Sequence, residues 1–207
     1  MEETPALTKL PPPDPDLDIV RLAQQRSTRR VAMGVLYERF RERVFNVALR
    51  VVGNQEEASD VLQEVFLLLF RKIHRFRATA VFASWVYRIT VNVSLDHLRR
   101  RRRTPTPTMA AKVLDGPQDT EELSRPERGA VQKDLAAHVQ EALGALSPRL
   151  RLVVVLRYLE GLAYGDIADI LQFSLGSGKS LLNRAHAAMR RELEGRYGPD
   201  VLGALPA

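Results

Sequence analysis

Trp85 to Arg103 reads WVYRITVNVSLDHLRRRRR, a mostly apolar segment that runs straight into five consecutive arginines. At about 100° per residue, Trp85, Arg88, Asn92, Asp96, Arg99 and Arg103 fall within an arc roughly 80° wide. Nearly every other position before the arginines is Val, Ile, Leu, Tyr or Thr. The pattern predicts a helix buried on most sides, which shows the outside one thin line of hydrogen-bonding groups, an aromatic ring and cations. Such a line suits bases and phosphates better than it suits water.

Helical periodicity spreads in both directions from this segment. Ser27-Thr28 reads as a helix start, with Val31, Val35, Leu36, Phe40, Val44, Val47, Ala48 and Val51 as the apolar face behind it. Gly53-Asn54 closes that helix. A further helix runs from Glu56 to about Arg75, and residues 76–82 (FRATAVF) connect it to the striped helix. Residues 1–15 are an acidic, proline-rich tail. Residues 104–130 hold four prolines and five acids against three basic residues, a linker composition. Periodicity resumes near Val131 and continues to about Arg196, leaving 197–207 as a tail. The expected fold is all-α, with two helical domains, 16–103 and 131–196, joined by a flexible linker.

Composition narrows the function classes. The chain has 207 residues, 45% of them hydrophobic and 27% charged, so it can bury a core. A formal charge of +6 favours a polyanionic partner. There is no cysteine, hence no disulfide framework or thiolate metal site, and His74, His97, His138 and His186 lack ligand spacing. No metal or other cofactor is expected. The N-terminus lacks the basic start and apolar run of a signal peptide. The most apolar run, Val65 to Phe70, is too short to span a bilayer. A cytoplasmic location without membrane insertion is the expectation.

Three groups of residues carry chemistry. Asp60, Gln63 and Glu64 lie at i, i+3 and i+4 on one helix face, opposite Val61, Leu62, Val65, Phe66 and Leu69. That face serves either as a solvated surface or as a docking surface for a basic partner helix. Phe76, Arg77, Phe82 and Trp85 bring aromatics and a cation to one loop, the combination that holds splayed single-stranded bases. Trp85 can equally be a core residue, and Asn92 and Asp96 can bond locally. Five like charges at Arg99–Arg103 need counter-ions, which a nucleic-acid backbone supplies.

The C-terminal part gives a second nucleic-acid signal. Ser147-Pro148 begins a helix with proline at its first position. Tyr164–Leu171 is a short helix, 172–174 a tight connection, and Leu175–Glu194 a longer basic helix, which is helix-turn-helix spacing. Gly176-Ser-Gly-Lys-Ser180 imitates the end of a phosphate-binding loop. The pattern needs a glycine where Phe173 stands and a preceding apolar strand, so nucleotide hydrolysis is not the reading and no enzyme activity is expected.

At this point the chain resembles the extracytoplasmic-function group of the sigma-70 family of bacterial sigma factors. The resemblance covers roughly 16–103 and 131–193. It rests on Leu36-Tyr37-Glu-Arg-Phe40, Ala58-Ser-Asp-Val-Leu-Gln-Glu-Val-Phe66, Trp85-Val-Tyr-Arg-Ile-Thr-Val-Asn92 with Asp96, Arg99 and Arg100, Leu146-Ser-Pro-Arg149, Tyr164-x-Asp-Ile-Ala168, and Lys179-Ser180-x-Leu-Asn-Arg-Ala185. It implies a protein that binds core RNA polymerase and directs initiation at particular promoters. Asp60, Gln63, Glu64 and Phe66 would dock on the clamp helices of the β′ subunit, with the β flap a further contact. Arg77, Phe82, Trp85, Arg88, Asn92, Asp96, Arg99 and Arg100 would melt and hold the minus-10 element. Ser177, Lys179, Ser180, Asn183 and Arg184 would meet the minus-35 element in the major groove. An anti-sigma factor is a further implied partner.

This chain also departs from the family pattern. The turn usually contains glycine where Gln172 stands, and the recognition helix usually reads Gly-Thr-Val-Lys-Ser-Arg-Leu where this chain has Gly176-Ser-Gly-Lys-Ser-Leu-Leu182. Gly178 costs a helix interior about 1 kcal/mol relative to alanine, and Leu181 replaces a cation. These departures favour a second reading: an interaction protein that occupies polymerase or an anti-sigma factor with weak or no promoter recognition.

Overall fold

The computed structural model describes residues 14–78, 81–103, 138 and 140–197, without the side chains of 175–179, 193, 196 and 197. The expected linker, 104–130, the resumption near Val131 and the C-terminal tail lie outside the described residues, as do the first 13 residues. The described residues contain helices and no strand. They are α1 (Leu17–Gln24), α2 (Arg29–Val52), α3 (Gln55–Lys72, followed by a 3-10 turn Ile73–Arg75), α4 (Phe82–Arg103), α5 (140–145), α6 (Pro148–Val154, continued by a π turn Val155–Leu159), α7 (Tyr164–Leu171) and α8 (Leu175–Tyr197).

The first lobe packs α2, α3 and α4 around one another, with α1 against α2. Gly53, at φ +76°, ends α2 in the left-handed conformation that glycine adopts without steric cost. Asn54 then accepts a hydrogen bond from the Glu57 amide at 3.1 Å and starts α3. Leu36, Phe40, Val44 and Val47 of α2 meet Val61, Val65 and Leu69 of α3 and Phe82 and Val86 of α4 in the core. Thr90 and Ser94 are fully buried, and each hydroxyl donates to the carbonyl four residues earlier, Val86 at 3.0 Å and Thr90 at 2.8 Å. That satisfies both groups without a partner on another helix.

Two expectations for α2 and the tail need correction. Val31 and Val35 do not join the buried face; Val31 is 74% exposed and Val35 44%. The buried face is set by Ala32, Met33, Leu36 and Phe40, one step round the helix. The expected tail also ends earlier than residue 15. Asp14 accepts hydrogen bonds from the amides of Asp16 (3.0 Å) and Phe82 (2.6 Å), and the buried Asp16 pairs with Arg39.

In the second lobe, Pro148 opens α6 as its first residue. α6 and α7 pack on α8 through Leu152, Val153, Ile167, Leu182 and Ala185. The two lobes share one hydrophobic core, with α7 against α4 and α6 against the end of α2. Polar bonds join them as well. Arg151 donates to the Val51 carbonyl at 2.6 Å, Arg50 to Gln140 at 3.1 Å, Gln140 to the Leu49 carbonyl at 3.4 Å, and the Tyr87 hydroxyl to Glu160. Burial pulls Arg50 and Arg151 below the ordinary guanidinium range, for Arg151 with a smaller contribution from Arg101. Burial, and then Glu160, pushes the Tyr87 phenol well up.

Candidate nucleic-acid interface

The start of α4 is built by residues far away in sequence. Asp14 supplies the acceptor that the first turn of the helix lacks, at the Phe82 amide. Gln24, on α1, donates to the carbonyls of Ile73 (3.1 Å) and Phe76 (2.9 Å) and fixes the near end of the connection. The loop expected to meet DNA is therefore anchored at both ends to the first turns of the lobe.

Four aromatics meet beneath that loop. Phe82 stands edge-on to Phe40 (centroids 5.6 Å apart) and to Phe76 (5.2 Å), and Trp85 lies 5.3 Å from Phe76 and 5.8 Å from Phe82. Phe82 is 0% exposed. The expectation that it touches DNA is thus corrected: its ring is a core residue, held by aromatic neighbours whose contacts each add about 0.5–1.5 kcal/mol beyond burial. Phe76 is buried too. Trp85 forms the half-buried rim of the cluster and is the ring that reaches the surface.

The stripe emerges as expected. Arg88, Asn92, Arg99 and Arg103 are exposed and Asp96 is half-buried, while Val86, Tyr87, Thr90, Val91, Val93, Ser94 and Leu98 are buried. Arg77, in the connection, is exposed as well. Three of the terminal arginines have acidic partners: Arg99 with Asp96 at 2.7 Å, Arg100 with Glu64 at 3.5 Å, and Arg101 with Glu57 at 3.3 Å. These exposed pairs contribute roughly 0–1 kcal/mol each, so exchanging the carboxylate for a phosphate is nearly free. Arg101 also donates to the Val52 carbonyl at 3.3 Å, bracing the end of α2.

On α3, Asp60 and Gln63 are exposed and Phe66 is half-buried, edge-on to Tyr37 at 4.8 Å. Glu64 faces α4 instead, between His97 (3.1 Å) and Arg100. Beside Gln63 and Phe66 lies an open groove of about 460 Å³ lined with Arg30, Met33, Tyr37, Leu67 and Phe70. Leu67 is 58% exposed and Phe70 45%. Sequence reasoning missed these two, although the signal was available. Val65-Phe-Leu-Leu-Leu-Phe70 is apolar all round, and a helix with only two neighbours must turn part of such a run outward.

In the second lobe, α7, the turn at 172–174 and α8 form the helix-turn-helix. Gln172 adopts φ +56° and ψ +54°, the left-handed conformation, and is exposed. The glycine preference of this turn thus has a backbone reason that Gln172 does not meet. On α8, Ser180, Asn183 and Arg184 are exposed on the outer face; the side chains of Ser177 and Lys179 lie outside the described residues. Leu181 is half-buried and packs on the core. Its replacement of a cation places an apolar side chain against apolar neighbours.

The chain is now definable as a two-lobed helical protein, with a striped helix in one lobe and a helix-turn-helix in the other. Residues 36–104 match the family model for sigma-70 region 2, and residues 137–189 that for sigma-70 region 4. The RNA polymerase sigma-H factor of Pseudomonas aeruginosa is 31% identical over 82% of this chain and 90% of its own length. The ECF RNA polymerase sigma factor SigW of Bacillus subtilis is 27% identical over 84% and 95%. The sigma factor RpoE of Bartonella quintana, solved in complex with the anti-sigma factor NepR, has the same fold at a TM-score of 0.62 and 19% identity, covering 79% of this chain and 97% of its own. The chain belongs to the sigma-70 family, as a member of its extracytoplasmic-function group. It is a promoter-directing sigma factor, with α1–α4 as region 2 and α5–α8 as region 4. Its relatives are transcription-initiation factors, and among the described residues no helix is long and apolar enough to cross a membrane.

Proposed function

We propose that this sigma factor divides its work between three surfaces. The exposed stripe Trp85, Arg88, Asn92 and Arg99, with Arg77, takes the minus-10 element: Trp85 offers a stacking face, Asn92 both a donor and an acceptor for a base edge, and the arginines hold phosphates. Arg100 exchanges Glu64 for a phosphate, and Asp96 orients Arg99. The face formed by Asp60, Gln63 and Phe66 with the adjoining apolar groove docks on the β′ clamp helices of core RNA polymerase. The outer face of α8, with Ser180, Asn183 and Arg184 and with Ser177 and Lys179 assigned by their spacing, enters the major groove at the minus-35 element, while the second lobe also contacts the β flap. The protein acts in the cytoplasm, where polymerase and promoter DNA are; polymerase is the catalyst and the sigma factor supplies recognition. An anti-sigma factor is a further partner.

The observation that carries this reading is the exposure of Arg88, Asn92 and Arg99 along one line of a helix whose other sides are buried. Single-stranded recognition needs that combination of fixed cations, polar groups and one aromatic face. Reconstituted holoenzyme tested in run-off transcription on fragmented genomic DNA should initiate at a small set of promoters, with activity falling steeply as salt rises. Core binding without open complexes on any fragment would favour the second reading, an interaction protein with weak promoter recognition. The left-handed Gln172 and the inward-packed Leu181 support that alternative only for the minus-35 contact.

A further inference from the structure

Each residue of the stripe that should face DNA also faces the second lobe. Trp85 and Arg88, with Arg75, Phe76 and Arg77, line a groove of about 300 Å³ whose far wall is Asp169 and Ile170 of α7. Asn92 and Arg99, with Val91 and Leu95, line a second groove of about 480 Å³, closed by Ile170, Leu171 and Gln172 together with Pro148, Arg149 and Leu152 of α6. Ile170 is common to both grooves and is buried. It sits across the line of the stripe, so a continuous strand cannot follow Trp85, Arg88, Asn92 and Arg99 while α7 is in place.

Charge supports the same conclusion. Asp169 is exposed and is the acid that lines the groove shared by Arg75, Arg77 and Arg88. A carboxylate among three guanidinium groups stands where a strand would bring a phosphate. The polar bonds between the lobes lie elsewhere, at the end of α2 (Arg151 to the Val51 carbonyl, Gln140 to the Leu49 carbonyl) and between Tyr87 and Glu160. Cover and fastening are thus separate sets of residues.

We infer that region 4 is an internal lid on the minus-10 stripe of region 2. Asp169 and Ile170 occupy the path of the promoter strand, and the Tyr87–Glu160 and Arg151–Val51 bonds are the latch. The covalent chain permits release: residues 104–137, extended at about 3.3 Å each, can span on the order of 100 Å. The free sigma factor therefore holds its own DNA-reading surface closed, and a partner that separates the lobes exposes it. This inference rests on the reading of the stripe as the minus-10 surface, and its test keeps the two apart.

The full chain contains no cysteine, so Glu42→Cys on α2 and Arg190→Cys on α8, both exposed, give a unique spin-label pair for the distance between lobes. Two opening variants are made in that background: Asp169→Arg, which puts a fourth cation into the groove, and the double variant Tyr87→Phe/Glu160→Ala, which cuts the latch. Asp18→Arg, the same charge change on the exposed side of α1, controls for charge alone. A fluorescent single-stranded oligonucleotide carrying the minus-10 sequence of a mapped promoter is the probe. One short distance is expected in the parent chain and longer ones in both opening variants. Probe affinity should rise about tenfold in both and much less in Asp18→Arg. A broad distance distribution in the parent, or unchanged distances in both variants, would overturn the lid. Longer distances with no gain in affinity beyond that of Asp18→Arg would also overturn it. Adding Asn92→Ala to an opened variant should abolish the gain; if the gain survives, the stripe reading fails while the measured opening stands.

Discussion

The carboxylate of Asp14 accepts a hydrogen bond from the backbone amide of Phe82 at 2.6 Å, across a sequence separation of 68 residues. The residue before the first helix thus caps the helix that carries the DNA-reading stripe. Loss of a side-chain cap costs about 1 kcal/mol. Asp14→Ala should lower the melting temperature of the protein and speed amide exchange in the first turn of α4, whereas Asp14→Asn should retain most of both. Equal exchange in Asp14→Ala and the parent would show that the bond contributes nothing to α4.

Asn92 should matter for strand opening and for nothing earlier. It is exposed on α4 and away from the docking face of α3. With Asn92→Ala, core polymerase affinity is expected to stay unchanged, while open-complex formation measured by permanganate reactivity falls roughly five- to a hundredfold, the equivalent of ~1–3 kcal/mol for a lost base contact. A matching drop in polymerase binding would make Asn92 a structural residue.

Leu67 and Phe70 give the docking proposal its sharpest check. Both are exposed beside Gln63, so Leu67→Glu and Phe70→Glu should leave the melting temperature close to that of the parent. Aromatic and large apolar anchors dominate interfaces, each with more than about 1 kcal/mol at stake. Core polymerase affinity, followed by fluorescence anisotropy, should therefore drop about tenfold or more for either change. Retained affinity in both would move the docking surface off the groove.

The helix-turn-helix is expected to respond differently at its two unusual positions. Gln172→Gly relieves a left-handed conformation that costs an ordinary residue roughly 1–2 kcal/mol, so thermal unfolding should shift upward. Leu181→Arg, which restores the family's cation, places charge on a half-buried site packed on the core. It should destabilise the second lobe, and minus-35 binding in a mobility-shift assay should gain nothing. Tighter binding with unchanged stability would mean that the arginine reaches solvent and DNA.

Much of this was legible in the sequence because it depends on local periodicity. The stripe on α4, the Gly53 stop, the Pro148 start and the helix-turn-helix spacing each follow from a few neighbouring residues. Val31 and Val35 defeated the same reasoning, because two adjacent apolar faces compete on α2 and only the neighbours decide which is buried. Phe82 was misplaced for a related reason: an aromatic at a loop-helix junction looks the same in sequence whether Phe40 waits beneath it or not. The packing of α7 on α4 left no local trace. It depends on two lobes meeting across residues 104–137, and neither the Tyr87–Glu160 bond nor the Asp14 cap has a spacing that announces it.

The C-terminal end of α2 gathers donors from three directions: Arg101 from α4, Arg151 from α6 and Gln140 from α5, on the carbonyls of Val52, Val51 and Leu49. At about 1.5 Å per residue, the 24 residues of α2 make a rod of roughly 36 Å, from the α1 junction at one end to this collar at the other. The rod therefore works as a ruler. Inserting a single residue in its exposed middle would touch no polymerase or DNA contact, yet it would turn the collar by about 100° and release all three donors at once. Substitutions are cheap along much of this helix, whereas its length is not free to change.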